Sequence, residues 1–278
     1  MNGALFGSWS MHQRAPLPQT ARIAAMSTAR GPTGTASAPS GSADSSTPTT
    51  PTPEQAEEPR LTPRQKSRRD TEAAVLEIAN RQLDSEGVPG LSLRAVAREL
   101  GLVSSAVYRY VRSRDELLTL LIADAYDALA DAVEDALVRE GDRLDVLAAA
   151  MLDWSRRTPR RWELIHGTPL TDYRAPREHT LLPGTRVAVH VVRLVDALPD
   201  DDAPFTVEEA ADHPAAPRLV EGLQELGVAV SPSSALRAVT VWTGLLGMVH
   251  TLRSGLLGPG YDEVEHELMA AHVRRLIS

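Results

Sequence analysis

The 278-residue chain has no cysteine. A disulfide framework, a cysteine-ligated zinc finger and a thiol nucleophile are therefore excluded. Lysine is nearly missing too: Lys66 stands alone against 28 arginines. Phenylalanine occurs twice, so a core built from the 42% of hydrophobic residues must be mainly aliphatic. That composition, rich in alanine, suits packed helices better than sheets. No stretch approaches the 18 or so consecutive apolar residues of a membrane span, and no basic region followed by an apolar run marks a signal peptide at the N-terminus. The expectation is a cytoplasmic protein without a membrane partner. Also missing are a phosphate loop, G-x-S-x-G, G-x-G-x-x-G and H-E-x-x-H. The eight histidines are scattered, and His266 and His272 fall on different helical faces. Neither an enzyme, nor a metal site, nor a cofactor is expected.

The net charge of −8 is unevenly distributed. Residues 60–115 carry 11 Lys and Arg against 7 Asp and Glu, whereas residues 116–278 carry 15 against 26. A short basic module is thus joined to an acidic remainder, and this asymmetry points to a polyanionic partner for the module alone.

Along the chain, residues 1–58 are dominated by Gly, Ser, Thr, Ala and Pro. Such a segment has too little apolar surface to offset its ordering entropy, so it reads as a disordered tail. Helical order is expected from Thr62, with Val75, Ile78, Ala79 and Leu83 on one face. Gly87, Pro89 and Gly90 break the chain. Ser92 then suits the N-cap of a second helix, with Leu91 and Val96 as a hydrophobic staple, and Gly101 ends that helix. A very short helix is expected over 104–110. Ser113-Arg114-Asp115-Glu116 reads as a capping box that opens a long helix, whose apolar residues run from Leu117 and Leu118 to Leu137. Further helices are expected over 143–157, 159–166, 183–198, 215–226, 233–256 and 261–277. The fold class is all-α.

Two short helices joined by a Gly-containing turn are the helix-turn-helix pattern. The first helix braces the second, which offers its N-terminal residues to base edges in the major groove of double-stranded DNA. Ser104, Ser105, Tyr108 and Arg109 would lie on the outer surface and Val107 would face inward. Small hydroxyls permit close approach, while Tyr108 and Arg109 can reach phosphate or base. Tyr108 equally suits a residue that covers the core.

The stretch GVPGLSLRAVARELGLVSSAVYRYVRSRDELLTLLIAD resembles the N-terminal domain of the TetR family of bacterial regulators. Val103 departs from the pattern, since the family usually has Ser or Thr there, and Ser104 is expected to take over capping. The resemblance implies phosphate contacts from Ser92 and Arg114, DNA contacts from Tyr108 and Arg109, and a flanking basic arm of Arg64, Lys66, Arg68 and Arg69. RRWELIHGTPLTDYRAP and the segment Val241-Trp242-Thr243-Gly244-Leu245-Leu246-Gly247 resemble the C-terminal domain of a Trp-His-Gly subgroup of the same family, with Leu246 in place of the histidine.

The resemblance implies three parts: the tail over 1–58, a three-helix DNA-binding domain over 59–115, and a helical effector-binding and dimerisation domain over 116–278. The expected function is a homodimeric, ligand-responsive repressor released from its operator by a small hydrophobic or amphipathic effector. Trp154, Trp162, His166, Tyr173, His190 and Trp242 are the candidate pocket residues, although aromatic residues in helices more often serve plain packing. Leu236, Val239, Leu245, Leu246 and Val249 are the candidate dimer interface, because the apolar surface of their helix is too broad for a solvated one. Since the tail holds no amphipathic pattern, a chain beginning at Glu58 should keep the thermal midpoint and operator affinity of the full chain. Calorimetry and gel shifts check this, and a clear loss of either would give the tail a structural or DNA-binding role.

Overall fold

The computed structural model describes residues 62–168, 170, 173–199 and 206–278. The reading of residues 1–58 as a disordered tail falls outside that range. Among the described residues every regular element is helical. The α-helices are α1 (Pro63–Glu86), α2 (Leu93–Glu99), α3 (Ser104–Val107), α4 (Arg114–Glu140), α5 (Leu144–Arg157), α6 (Pro159–His166), α7 (Arg177–Asp196), α8 (Val207–Asp212), α9 (Ala216–Glu225), α10 (Pro232–Arg253) and α11 (Glu265–Ile277), with short 3₁₀ turns at Val88–Gly90 and Asp262–Val264.

Local chemistry sets most boundaries in the first half. The Ser92 side chain accepts from the Ala95 N–H at 3.3 Å and starts α2. Leu91 and Val96 on either side of that cap are both buried, as a staple requires. Gly101 ends α2 at φ +67°, a left-handed conformation that costs glycine little, and the next N–H, that of Leu102, returns to the Ala97 carbonyl. Ser113 caps α4 by accepting from Glu116 N–H at 3.1 Å. The capping box is shifted by one residue: the Glu116 carboxylate accepts from the Arg112 N–H at 2.6 Å rather than from Ser113.

Two expected boundaries shift, and one helix is added. α3 stops at Val107, and residues 108–110 form turns instead of continuing to Tyr110. α7 begins at Arg177, six residues before the proline taken as its start, so Pro183 sits inside the helix. An interior proline removes one backbone hydrogen bond and costs about 3 kcal/mol, which the buried face of α7 (Thr185, Val187, Val191, Val192 and Val195) offsets. The helix α8 was not expected at all. Its signal is a capping box, in which the Thr206 hydroxyl accepts from Glu209 N–H while the Glu209 carboxylate accepts from Thr206 N–H.

The side chains gather into two cores. In the first, Val75, Ala79 and Leu83 of α1 pack with Val96, Ala97, Val107 and Val111, and with Leu117, Leu118 and Leu121 from the start of α4. In the second, the rest of α4 from Ala125 onward packs with α5, α7, α9, α10 and α11. Polar ties cross between them. Asn80 donates to Asp124 at 2.8 Å and Arg161 of α6 reaches Asp84 of α1 at 3.0 Å, while beside the first core the Tyr173 and Thr119 hydroxyls share a 2.8 Å hydrogen bond. By length and composition α10 could span a bilayer, yet half of its apolar window is buried in the second core, which makes it a core helix.

On the α4–α7 seam, Arg186 meets Asp127, Asp131 and Glu134 at 2.6–3.0 Å, and His190 Nε2 lies 3.3 Å from Glu134. The hydrogen bond with His190, together with those from Arg186, holds the Glu134 carboxyl down at about 2, from an ordinary value of 4.5. The unfolded chain therefore takes up this proton first, so the stabilisation is complete above about pH 4.5 and is lost as the pH falls towards 2. Glu134 is partly exposed, which keeps the effect modest. In urea titrations, the stability gap between wild type and Glu134→Gln should be widest above pH 4.5 and should close as the solution is acidified.

Candidate nucleic-acid interface and aromatic cluster

The first core holds α3 by one face only. Val107 and, just beyond the helix, Val111 are buried, while Ser104, Ser105, Tyr108 and Arg109 are all exposed. Tyr108 is 44% exposed, so it does not serve as a lid on the core. Val103 occupies the N-cap without a side-chain hydrogen bond, and Ser104 is the first helical residue, which corrects the expectation that Ser104 caps the helix. Both serine hydroxyls and the uncapped N–H groups at this end of α3 consequently face solvent, where an approaching groove would find them.

Exposed cations lie on the elements before and after α3. Arg64, Lys66, Arg68 and Arg69 are exposed along the first turns of α1, with Arg68 paired to Glu72 at 2.8 Å. Ser92 is half-exposed; its oxygen is used by the cap, and its hydroxyl proton remains available to a phosphate oxygen. Arg114 is exposed, but one of its nitrogens donates to the Val88 carbonyl at 2.6 Å, tying the start of α4 to the 3₁₀ turn before α2. Its remaining donors are available to a phosphate. Arg94 on α2 and Arg112 before α4 are exposed cations that the sequence reading passed over; a positional survey of basic residues on α2 and at the entry to α4 would have found both.

Four of the six candidate pocket residues come together. Trp154 of α5 lies 6.4 Å from Trp162 of α6, centroid to centroid. His166, one turn further along α6, is 4.5 Å from Trp162 and 6.2 Å from Trp242 of α10. Tyr126 of α4, not singled out from the sequence, completes the group at 5.9 Å from His166, edge to face. Its position four residues beyond Ile122, on the same helical face, was the available signal. The Tyr126 hydroxyl donates to the Ile165 carbonyl at 3.3 Å, and burial pushes its pKa up. Burial also drives the His166 imidazole down to about 4, so it is neutral near pH 7. Its Nε2 is enclosed and has no hydrogen-bond partner. The chain turns sharply just beyond His166, where a β-carbon on Gly167 would lie 2.3 Å from the Glu163 carbonyl oxygen, so only glycine fits.

The other two candidates lie elsewhere. Tyr173 packs on the first core, and its hydroxyl meets Thr119. His190 belongs to the charged α4–α7 seam beside Glu134. The expected dimer face is also corrected. Leu236, Leu245 and Val249 are buried inside the chain itself, in the second core, because α10 turns that side inward. Val239 and Gly247 are exposed and Leu246 is half-buried.

A short exposed helix, braced by a second helix across a glycine turn and set among elements that carry exposed cations, defines a helix-turn-helix DNA-binding protein. Comparison with known proteins agrees. Residues 144–276 match the family described as "Tetracyclin repressor-like, C-terminal domain". The HTH-type transcriptional regulators Mb1846 of Mycobacterium bovis and Rv1816 of Mycobacterium tuberculosis are each 38% identical over 196 residues, spanning 68% of this chain and 83% of theirs. The crystal structure of the regulatory protein SCO4313 is 32% identical and superposes with a TM-score of 0.60, covering 78% of this chain and 99% of that one. The chain belongs to the TetR family of transcriptional regulators, whose members act on DNA rather than as enzymes.

The two sets of exposed side chains should separate in binding experiments. Arg69→Ala and Arg114→Ala should weaken binding to every DNA sequence and lower the salt slope by about one unit each, because a phosphate contact releases counterions. Ser105→Ala and Tyr108→Ala should instead change the ranking of operator variants, at about 1–3 kcal/mol per contacted base pair. An unchanged salt slope in Arg114→Ala would mean that its only task is the Val88 tie.

Proposed function

We propose that the chain is a cytoplasmic, homodimeric repressor that grips a near-palindromic operator with two copies of α3 and is released by a small apolar effector. In this reading residues 59–115 form the DNA-binding part and residues 116–278 the effector and dimer part, with the start of α4 shared by the core of the first. The DNA contacts are Ser104, Ser105, Tyr108 and Arg109 from the recognition helix, Ser92 and Arg114 at the phosphates, and Arg64, Lys66, Arg68 and Arg69 as a flanking arm. The observation that carries this reading is the one-sided burial of α3, which has its valine side in the core and its hydroxyl, tyrosine and arginine side in solvent.

The dimer face assigned here is the outer side of α10 with the adjoining face of α11. Val239, Thr243 and Gly247 are exposed there at helical spacing. Gly244 lets α10 and α11 approach closely, with His272 Nε2 3.1 Å from the Gly244 carbonyl. The small residues of this face would allow a second α10 the same close approach.

Gly247 supplies the test, because a β-carbon added there meets nothing within 4 Å in the single chain. Gly247→Arg should leave thermal stability unchanged or raise it by about 0.5–1 kcal/mol, since glycine is a poor helix former. It should also yield monomers in sedimentation and lose operator binding, because one α3 forfeits its paired half-site. A variant that stays dimeric and bound to DNA would move the interface away from α10.

A further inference from the structure

The aromatic cluster holds an unsatisfied group. His166 Nε2 is enclosed among rings and makes no hydrogen bond. A buried polar atom without a partner costs about 1–3 kcal/mol, which a hydrogen-bonding species that reaches it would recover. Resting on the effector reading above, we propose that the cluster binds a small uncharged aromatic alcohol, a phenol, whose hydroxyl hydrogen-bonds His166 Nε2 while its ring packs among Trp154, Trp162 and Trp242.

Four observations select this chemistry. The rings touch one another, with centroids 4.5–6.4 Å apart, so an entering molecule must part them, and a flat apolar ring best replaces the edge-to-face and tilted contacts it breaks. The surroundings that hold the imidazole neutral, with its pKa at about 4, disfavour a charged ligand of either sign by the same desolvation. The cation site on Trp162 is already taken, since the Arg253 guanidinium sits 6.0 Å from that ring. A ligand ammonium would therefore meet both a lost aromatic face and a like charge. Finally, a hydroxyl both donates and accepts, so it can pair with Nε2 in either imidazole tautomer, whereas a ligand with only one capability could not.

The rings can part on the α7 side. Tyr126 lies flat against Gly184, where a β-carbon would be 3.3 Å from the Tyr126 ring. The neighbouring Pro183 has already removed one backbone hydrogen bond from that helix. The wall behind Tyr126 is thus a turn of α7 with one backbone hydrogen bond fewer, and the ligand's ring would take up the room gained there.

Phenol, toluene and benzyltrimethylammonium are suitable probes, titrated at pH 7 against the full chain without DNA and followed by tryptophan emission and calorimetry. Phenol should saturate and should bind about tenfold more tightly than toluene, the worth of one hydrogen bond. His166→Leu should reduce phenol to the affinity of toluene while leaving toluene unchanged. Equal affinities for phenol and toluene in the wild type, a phenol preference that survives His166→Leu, tighter binding of the quaternary ammonium, or no saturable phenol binding would each overturn the proposal. Should His166→Leu fail to fold, the ¹⁵N resonance of the wild-type His166 Nε2 decides the matter: it should move on phenol saturation, and an unmoved resonance overturns the assignment. With DNA absent from these titrations, a failure here leaves the operator reading standing. Loss of operator binding in the Gly247 variant likewise does not touch this result.

Discussion

One helix belongs to two cores at once, and most of what this protein does depends on that constraint. The first turns of α4 place Leu117, Leu118 and Leu121 in the core that braces the recognition helix. The same helix, from Ala125 to Leu137, packs with the larger core that contains the aromatic cluster. Interiors are packed as densely as organic crystals, so a helix shared in this way moves as a unit or not at all. Tyr126 and Leu118 lie two turns apart on this one helix. Asn80 ties α1 to Asp124 of this helix, Tyr173 meets Thr119 near its start, and Arg161 ties α6 to α1. Of these, Arg161 is the neighbour of Trp162 on α6, so a single short helix contacts both the rings and α1. Coupling between the two cores would need such a shared packed element together with a second arrangement of it.

How much of this was legible in the sequence differs between the halves for a physical reason. In the first half, boundaries are set by local chemistry. Ser92, Gly101 and Ser113 do what their side chains or their lack of one dictate within four residues, and each lies where the pattern of letters puts it. In the second half, boundaries are set by packing. The first turns of α7 extend through Pro183 because its valine face is buried, an outcome that only the tertiary fold supplies. The α8 capping box was present in the letters but sits beside an acidic, proline-containing stretch with no apolar period to draw attention to it.

The candidate sites divide similarly. Exposed polar residues on a short helix can be assigned from spacing alone, since the inward side of α3 is fixed by Val107. Ring clusters cannot. Trp154, Trp162 and Trp242 lie on three different helices, and nothing local distinguishes them from Tyr173, which faces the other core. The dimer face misled for the same reason: α10 is apolar on nearly every side, so its pattern does not say which side faces inward. Burial of Leu236, Leu245 and Val249 answers that question, and it leaves Val239, Thr243 and Gly247 pointing outward.

The uncapped, one-sided α3 has an evolutionary corollary. Since Val107 and Val111, with Tyr110 beside them, anchor that region to the core, the solvent-facing residues of α3 can be exchanged at little thermodynamic penalty to the scaffold. Foldability and target choice are therefore nearly independent traits in this lineage. A duplicated gene could drift to a new regulon through a handful of codon changes in the recognition helix while inheriting intact the remainder of the molecule.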